Sequence, residues 1–201
     1  MTPFTALSSP ALPLLEDRID TDVIFPARFL LLMRRGDMGR YFFHDRRFEP
    51  DGAPIANNPV DDPRYTGAQI LIAGADFGSG SSREQAVWAL TGFGIRCVIA
   101  ESFGEIFAAN CLRNGVLAIA QPRALIERLA AASGPLDIDL AAQTIAFDDE
   151  SLAFDIAPGD RERLLKGWDD IDLILEREGP RVAAFEAQQR QTQPWLYGYD
   201  A

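Results

Sequence analysis

The sequence offers little that could hold a metal. Its 201 residues include two cysteines and a single histidine, His44. Cys97 and Cys111 lie fourteen positions apart, and neither their number nor their spacing makes a zinc or iron–sulfur ligand set. Both stand in apolar company, so each reads as a small core hydrophobe. Any metal must come from elsewhere. Positive charge is also scarce: 19 Lys and Arg stand against 30 Asp and Glu, a formal net charge of −11. Nucleic acids are bound by clustered Lys and Arg that displace counterions, and there is no such cluster here. An anionic ligand therefore has to be drawn in locally, against the overall field. Long hydrophobic runs are missing too. No stretch approaches the roughly 20 apolar residues of a membrane span, and no basic segment with an apolar signal core opens the chain. These absences predict a cytoplasmic protein without membrane or nucleic-acid partners.

What is present is enough apolar residue, 47%, to bury one good core, and the reading is a single domain over 1–201. The chain is organised around Gly74 to Gly94. Ile70-Leu71-Ile72-Ala73 suits a buried strand, three glycines follow within seven residues (Gly74, Gly78, Gly80), and a helix-start signal comes next. Ser81-Ser82-Arg83-Glu84 fits a capping box, with Ser81 as N-cap and Glu84 at N3. Glycines that leave the backbone bare, a helix N-terminus and the planar fork of Arg83 together describe an anion site. The plainer reading is that Ser81 only caps a helix. The three glycines and the arginine favour the site. As a phosphate loop the segment fails, because no Gly-Lys-Ser/Thr is present and a dinucleotide fingerprint would need glycine at Arg83. The Gly-x-Ser-x-Gly elbow is absent as well. A small carboxylate fits better than a nucleotide.

Phe4 to Leu15 reads as one or two short strands leading to the acidic turn Glu16–Asp22. Val23 to Gly36 reads as a strand entering a core helix after Pro26. Tyr41 to Phe48 predicts a short helix or turn in which His44 is structural, with a general-acid role as the alternative. The proline-rich segment from Asp51 to Tyr65 reads as an irregular connection. After the glycine loop come a helix ended by Gly92, a strand over Ile95–Ala100, a second capping box at Ser102–Glu105 opening a helix to Asn114, a strand over Val116–Ala120, and a helix opened by Pro122. That rhythm is the signature of right-handed crossovers in a parallel sheet, whose ligands bind at the carboxyl ends of the strands. Alternating segments from Leu136 to Ile156 predict antiparallel strands with one wet face. Asp160–Lys166 predicts a short helix. Asp169–Leu175 predicts a further helix or an extended segment, and Gly179-Pro180 introduces a helix to Gln191. The apolar end, Trp195-Leu196-Tyr197, suits docking on this chain or on a partner.

Three stretches carry a resemblance: Asp76-Phe-Gly-Ser-Gly-Ser-Ser-Arg-Glu84, Phe93 to Phe107, and Asn110-Cys-Leu-Arg-Asn-Gly115. With the early Asp20-Thr21-Asp22-x-Ile-x-Pro-Ala-Arg-Phe-Leu segment and the ending Pro194-Trp-Leu196, the chain resembles the swivel domain of the aconitase superfamily, in particular its isopropylmalate dehydratase small-subunit branch. The resemblance implies an α/β fold: a swivelling β/β/α-type domain with a partly parallel central sheet, flanking helices and additional antiparallel strands. It implies a hydro-lyase acting on a hydroxy-dicarboxylate, with Ser81 as base and Arg83 as carboxylate clamp, Thr21 and Asp22 orienting the groups that touch substrate, and Gly80 and Ser82 lining the site. Phe29, Leu30, Leu31 and Leu32 would meet the alkyl substituent, and Arg28, Arg34 and Arg35 are alternatives for a second carboxylate. It further implies a [4Fe-4S] cluster carried by a separate large subunit, with the active site between the two chains. Ser79 and Gln85 depart from the family's Gly-Cys-Gly-Ser-Ser-Arg-Glu-His. Those changes leave open a related malate, and a non-catalytic carboxylate-binding module is the reading from another class.

Overall fold

The computed structural model describes residues 1–31 and 35–198. Strands β3 (Ile70–Ala73) and β4 (Cys97–Ala100) are buried at every position. A strand turns successive side chains to opposite faces, so a strand that is apolar throughout needs cover on both sides. Both strands have it. Ile70, Ile72, Cys97 and Ile99 join one apolar cluster with Leu117, Ile126 and Leu136; Leu71, Ala73, Val98 and Ala100 join another with Phe25, Ala86 and Leu90. Full burial of one isoleucine contributes about 1.5–3 kcal/mol, so these strands anchor the core.

Strands β2 (Ala11–Leu14) and β5 (Leu117–Ala120) complete a parallel sheet of order β2-β3-β4-β5. Helices α3 (Gln85–Phe93), α4 (Glu105–Arg113) and α5 (Arg123–Ala130) follow β3, β4 and β5. A second sheet, antiparallel in order β1-β6-β7-β8, is built from β1 (Ala6–Ser9), β6 (Leu136–Asp139), β7 (Thr144–Phe147) and β8 (Glu150–Ala153). Ile126 and Leu129 of α5 pack in the cluster that both sheets share. Helix α6 (Pro158–Lys166) ends at Gly167, whose φ is +67°. This is the α/β fold, part parallel and part antiparallel, that the sequence predicts.

Met1–Gly167 forms one compact unit and Trp168–Ala201 another. The second holds α7 (Asp170–Thr192) and a 3-10 turn, Pro194–Leu196. Trp195 and Leu196 stand exposed, at 68% and 55%.

Several local expectations are corrected. Val23 to Phe25 is not a strand, and among the described residues no core helix follows Pro26. Asp20 caps a short helix, α1 (Thr21–Ile24), by accepting a hydrogen bond from Val23 N at 2.8 Å. Proline forces the residue before it out of helical geometry, and Phe25 accordingly has φ −145° and ψ 101°. A 3-10 turn, Ala27–Phe29, follows, and a short helix, α2 (His44–Arg47), comes later in the chain. Gly92 does not end α3: Gly94 does, in the left-handed region at φ +115°. Gly92 lies inside the helix, where the Gly39 backbone leaves no room for a side chain. A Cβ built on Gly39 would stand 2.2 Å from the Gly92 carbonyl carbon. Helix α7 runs unbroken through Gly179-Pro180, where a helix start was expected. Its own start is strong, with Asp169 accepting from Ile171 N and Asp172 N while Asp172 accepts from Asp169 N, each at 2.9 Å.

Candidate active site

Strands β2, β3 and β4 end side by side, since Leu14 pairs with Ala73 and Ala73 with Ala100. The glycine loop therefore leaves the sheet between two other loops, and its backbone is bonded to both. On one side Arg18 N donates to Ala75 O and Gly78 N to Ile19 O, each at 2.7 Å, and Thr21 N donates to Ser79 O at 2.9 Å. On the other, Phe77 N donates to Ser102 O at 3.0 Å and Gly104 N to Phe77 O at 2.9 Å. Glycine is required at position 78. Its φ is +74°, and a Cβ there would sit 2.2 Å from Cγ of Phe107.

Ser81 follows the exposed Gly80, and its backbone N donates to Thr21 Oγ1 at 3.1 Å. Thr21 is 1% exposed, so its hydroxyl is a buried acceptor placed for that amide. Two residues on, Arg83 grips Asp22 with both prongs, Nη1 to Oδ1 at 2.6 Å and Nη2 to Oδ2 at 3.1 Å. The Arg83 side chain is 16% exposed and that of Asp22 55%. Adjacent residues of α1 thus hold Ser81 and Arg83 in one loop.

The hydrogen bonds from Arg83 hold the Asp22 carboxyl below its ordinary value, against a smaller opposing effect of burial. A carboxyl depressed in the folded state stabilises the fold above the ordinary carboxylate range, and that contribution is lost as pH falls through the native value. The expected result is a side-chain ¹³C titration of Asp22 below that of a free aspartate, moving up in Arg83→Ala. An unmoved midpoint would show that Arg83 is not the cause.

Ser81 is not the N-cap of α3. The cap position is Glu84, and no side chain caps it. The capping pattern is dismantled from both ends, because Thr21 takes the Ser81 amide and Asn114 Nδ2 donates to Glu84 Oε1 at 2.7 Å. The second pattern fails for a similar reason: Ser102 Oγ accepts from Asp76 N at 2.9 Å, and Gly104 occupies the α4 cap position.

Residues 1–124 match the aconitase C-terminal domain family. A relative from Rhodospirillum centenum, described as a 3-isopropylmalate dehydratase small subunit, is 47% identical over 204 residues, covering 98% of this chain and 100% of the relative. Relatives of the same description from Paramagnetospirillum magneticum and Paracoccus denitrificans are 42% and 41% identical over 202 residues, again covering 98% of this chain and 100% of each. The chain belongs to the 3-isopropylmalate dehydratase small-subunit family. In fold it is similar to a crystal structure of 3-isopropylmalate dehydratase (LeuD) from Methanocaldococcus jannaschii, with a TM-score of 0.68 and 24% identity over 89% of this chain and 99% of that one.

In this family member, the segment expected to meet an alkyl group lies partly elsewhere. Arg28 is bonded to both carboxylate oxygens of Asp45, packs over the Phe29 ring at 4.4 Å, and lines with Phe29, His44 and Phe48 a cavity of about 760 Å³. Neither Ser81 nor Arg83 lines that cavity. The link is Asp22, whose Oδ1 also accepts from Ala27 N at 3.1 Å, at the head of the turn bearing Arg28 and Phe29. Leu30 packs on the core, while Leu31 is 88% exposed. Leu32, Arg34 and the side chain of Arg35 lie outside the described residues. His44 lies against Phe29 and Phe48, at 4.7 and 5.1 Å between ring centroids, with Nδ1 at 3.2 Å from Asp45 Oδ1.

The two thiols are fully buried, and burial pushes both well above the ordinary cysteine value. Among the described residues no group of three or more His, Cys, Asp and Glu is placed to hold a metal ion, and no helix is long and apolar enough to cross a membrane. Asn110 and Asn114 belong to a stretch that carries the resemblance, yet the sequence assigns neither a role at the site. Asn110 is 5% exposed and donates from Nδ2 to the Ser82 carbonyl at 3.3 Å. Their signal was two amides one turn apart in a helix that packs on the core.

Proposed function

We propose that this chain is the small subunit of a hydro-lyase that interconverts 2-isopropylmalate and 3-isopropylmalate by dehydration and rehydration, a cytoplasmic step of leucine biosynthesis. In this reading 1–201 serves as one swivel domain against a separate large subunit. The observation that carries it is the pairing in one loop of a hydroxyl and a guanidinium, Ser81 and Arg83, each tied to a neighbouring residue of α1.

Ser81 Oγ takes the proton from the carbon beside a substrate carboxylate. The C–H electron pair becomes the new C=C bond as hydroxide leaves the adjacent carbon, and rehydration runs the steps in reverse with the hydroxyl on the other carbon. Negative charge builds on the neighbouring carboxylate during proton removal, and Arg83 neutralises it with a fork that keeps its own proton. A serine hydroxyl is a very weak acid, so its anion has to be stabilised by nearby N–H groups and by arginine charge. Gly80 and Ser82, both exposed in the loop, complete the substrate contact, and in this reading Phe29 and Leu31 meet the alkyl group and Arg28 is a candidate for a second carboxylate. The [4Fe-4S] cluster that serves the superfamily as Lewis acid on the leaving hydroxyl belongs to the large subunit in this reading, since this chain's buried thiols do not fit it.

The isolated chain is expected to be inactive, and mixing it with the cluster-loaded cognate large subunit to give isomerase activity on isopropylmalate. A folded mixture that binds the dicarboxylate without turnover would overturn the proposal in favour of a carboxylate-binding module. Faster turnover of citramalate or of a homoaconitate-type acid would reassign the substrate.

A further inference from the structure

Arg83 stands between two residues that α4 holds. Ser82, before it, is held by Asn110 through its carbonyl at 3.3 Å; Glu84, after it, is held by Asn114 through its carboxylate at 2.7 Å. Residues four apart at a helix end lie on one side, so Asn110 of α4 and Asn114, its C-cap, present two amides to one short segment. The orientation of Asn114 is settled by its surroundings. Its Nδ2 also donates to the Asn110 carbonyl at 2.8 Å, and its Oδ1 accepts from Trp88 Nε1 at 3.1 Å. Exchanging oxygen and nitrogen would set donor against the indole N–H and acceptor against the Glu84 carboxylate.

We propose that Asn110 and Asn114 are positioning residues for the reaction: they set the path of the 82–84 backbone and so the mutual placement of the Ser81 hydroxyl and the Arg83 fork. The inference rests on the reading of those two residues given above. Glu84 supports it. At the start of α3 its carboxylate had a helix cap within reach by sequence pattern, yet it is turned to α4 instead, leaving α3 without a side-chain cap. The segment gives up a local bond and gains a fixed relation to α4. Together with Thr21 on the Ser81 amide and Asp22 on the Arg83 head, this places an anchor on each of four consecutive residues. Displacements of about 1 Å at a reacting group cost roughly 100-fold in rate, which is the scale such anchors protect.

The test uses the chain reconstituted with its large subunit. Asn110→Asp replaces the donor with an acceptor at constant size; Glu84→Ala removes the Asn114 acceptor, and Glu84→Gln keeps it. For Asn110→Asp and Glu84→Ala, kcat/KM is expected to fall about 10- to 100-fold with a raised KM. Glu84→Gln should recover to within about threefold of the unmodified enzyme at the same thermal midpoint as Glu84→Ala. Equal losses in Glu84→Ala and Glu84→Gln, kinetic constants within about twofold of the unmodified enzyme, or a fall in rate that tracks only the fraction of assembled complex at constant KM would each overturn the proposal. Ser81→Ala and Arg83→Ala run alongside. If they remain active, the underlying reading falls; if they are dead while Asn110→Asp and Glu84→Ala are unimpaired, only the positioning role falls. Should Asn110→Asp fail to fold, the Glu84 pair decides alone.

Discussion

Ser81→Ala in the reconstituted enzyme is expected to lower kcat by about 10²–10⁴-fold, the usual contribution of a positioned proton-transfer group, while KM stays within about threefold. The split follows from what the side chain does in each state. Ser81 Oγ, as the alkoxide, takes a proton only as the C–H bond breaks and becomes the hydroxyl, so its removal weakens the transition state and leaves ground-state binding to Arg83 and the loop backbone. The structure makes this a clean experiment. A serine that capped α3 would cost about 1 kcal/mol of stability on replacement, and a loss of activity would then be mixed with a loss of folded protein. Ser81 is tied down through its backbone N–H to Thr21, a bond that alanine keeps, and the cap position belongs to Glu84. The thermal midpoint of the variant should accordingly match that of the unmodified chain. Turnover within about threefold of normal would refute the base assignment.

The contrast between the two strands and the two capping patterns shows what one dimension carries. Ile70–Ala73 and Cys97–Ala100 were legible because a strand buried on both faces has to be apolar at every position, a property that is complete within four residues. Ser81–Glu84 and Ser102–Glu105 look equally complete, and both mislead. Their partners come from Thr21, Asn114 and Asp76, residues that lie 60, 30 and 26 positions away and that the sheet brings to a common edge. Local pattern yields to them because hydroxyls and carboxylates have several donors to choose among once the chain is folded. Gly92 misleads for a steric reason: it is glycine where the Gly39 backbone packs against α3, although its spacing resembles a stop. Ser81 and Arg83 stand out in the sequence as a pair through the company of three glycines. The asparagines bonded to Ser82 and Glu84 do not, because an asparagine has no distinctive pattern until its amide is seen against its acceptor.

Arg83→Lys is expected to cut kcat/KM by about 10²–10³-fold, or roughly 3–4 kcal/mol of transition-state stabilisation, with both kcat and KM affected. Lysine preserves the charge, so the loss measures geometry. In the structure one edge of the Arg83 fork, Nη1 and Nη2, is bonded to the two oxygens of Asp22, and one of those oxygens also accepts from Ala27 N. A substrate carboxylate must therefore share or displace Asp22. A planar group with five donors can turn one edge to Asp22 and another to substrate, whereas an ammonium is a single point of charge that the two carboxylates would contest. Fold stability should change little, because the Asp22 carboxylate is 55% exposed and water replaces the lost partner. Arg83→Ala should then be no more than about tenfold worse than Arg83→Lys, since most of what matters is already gone. A lysine variant within about tenfold of the unmodified enzyme would show that positive charge alone suffices, and the carboxylate clamp would have to be sought on the large subunit.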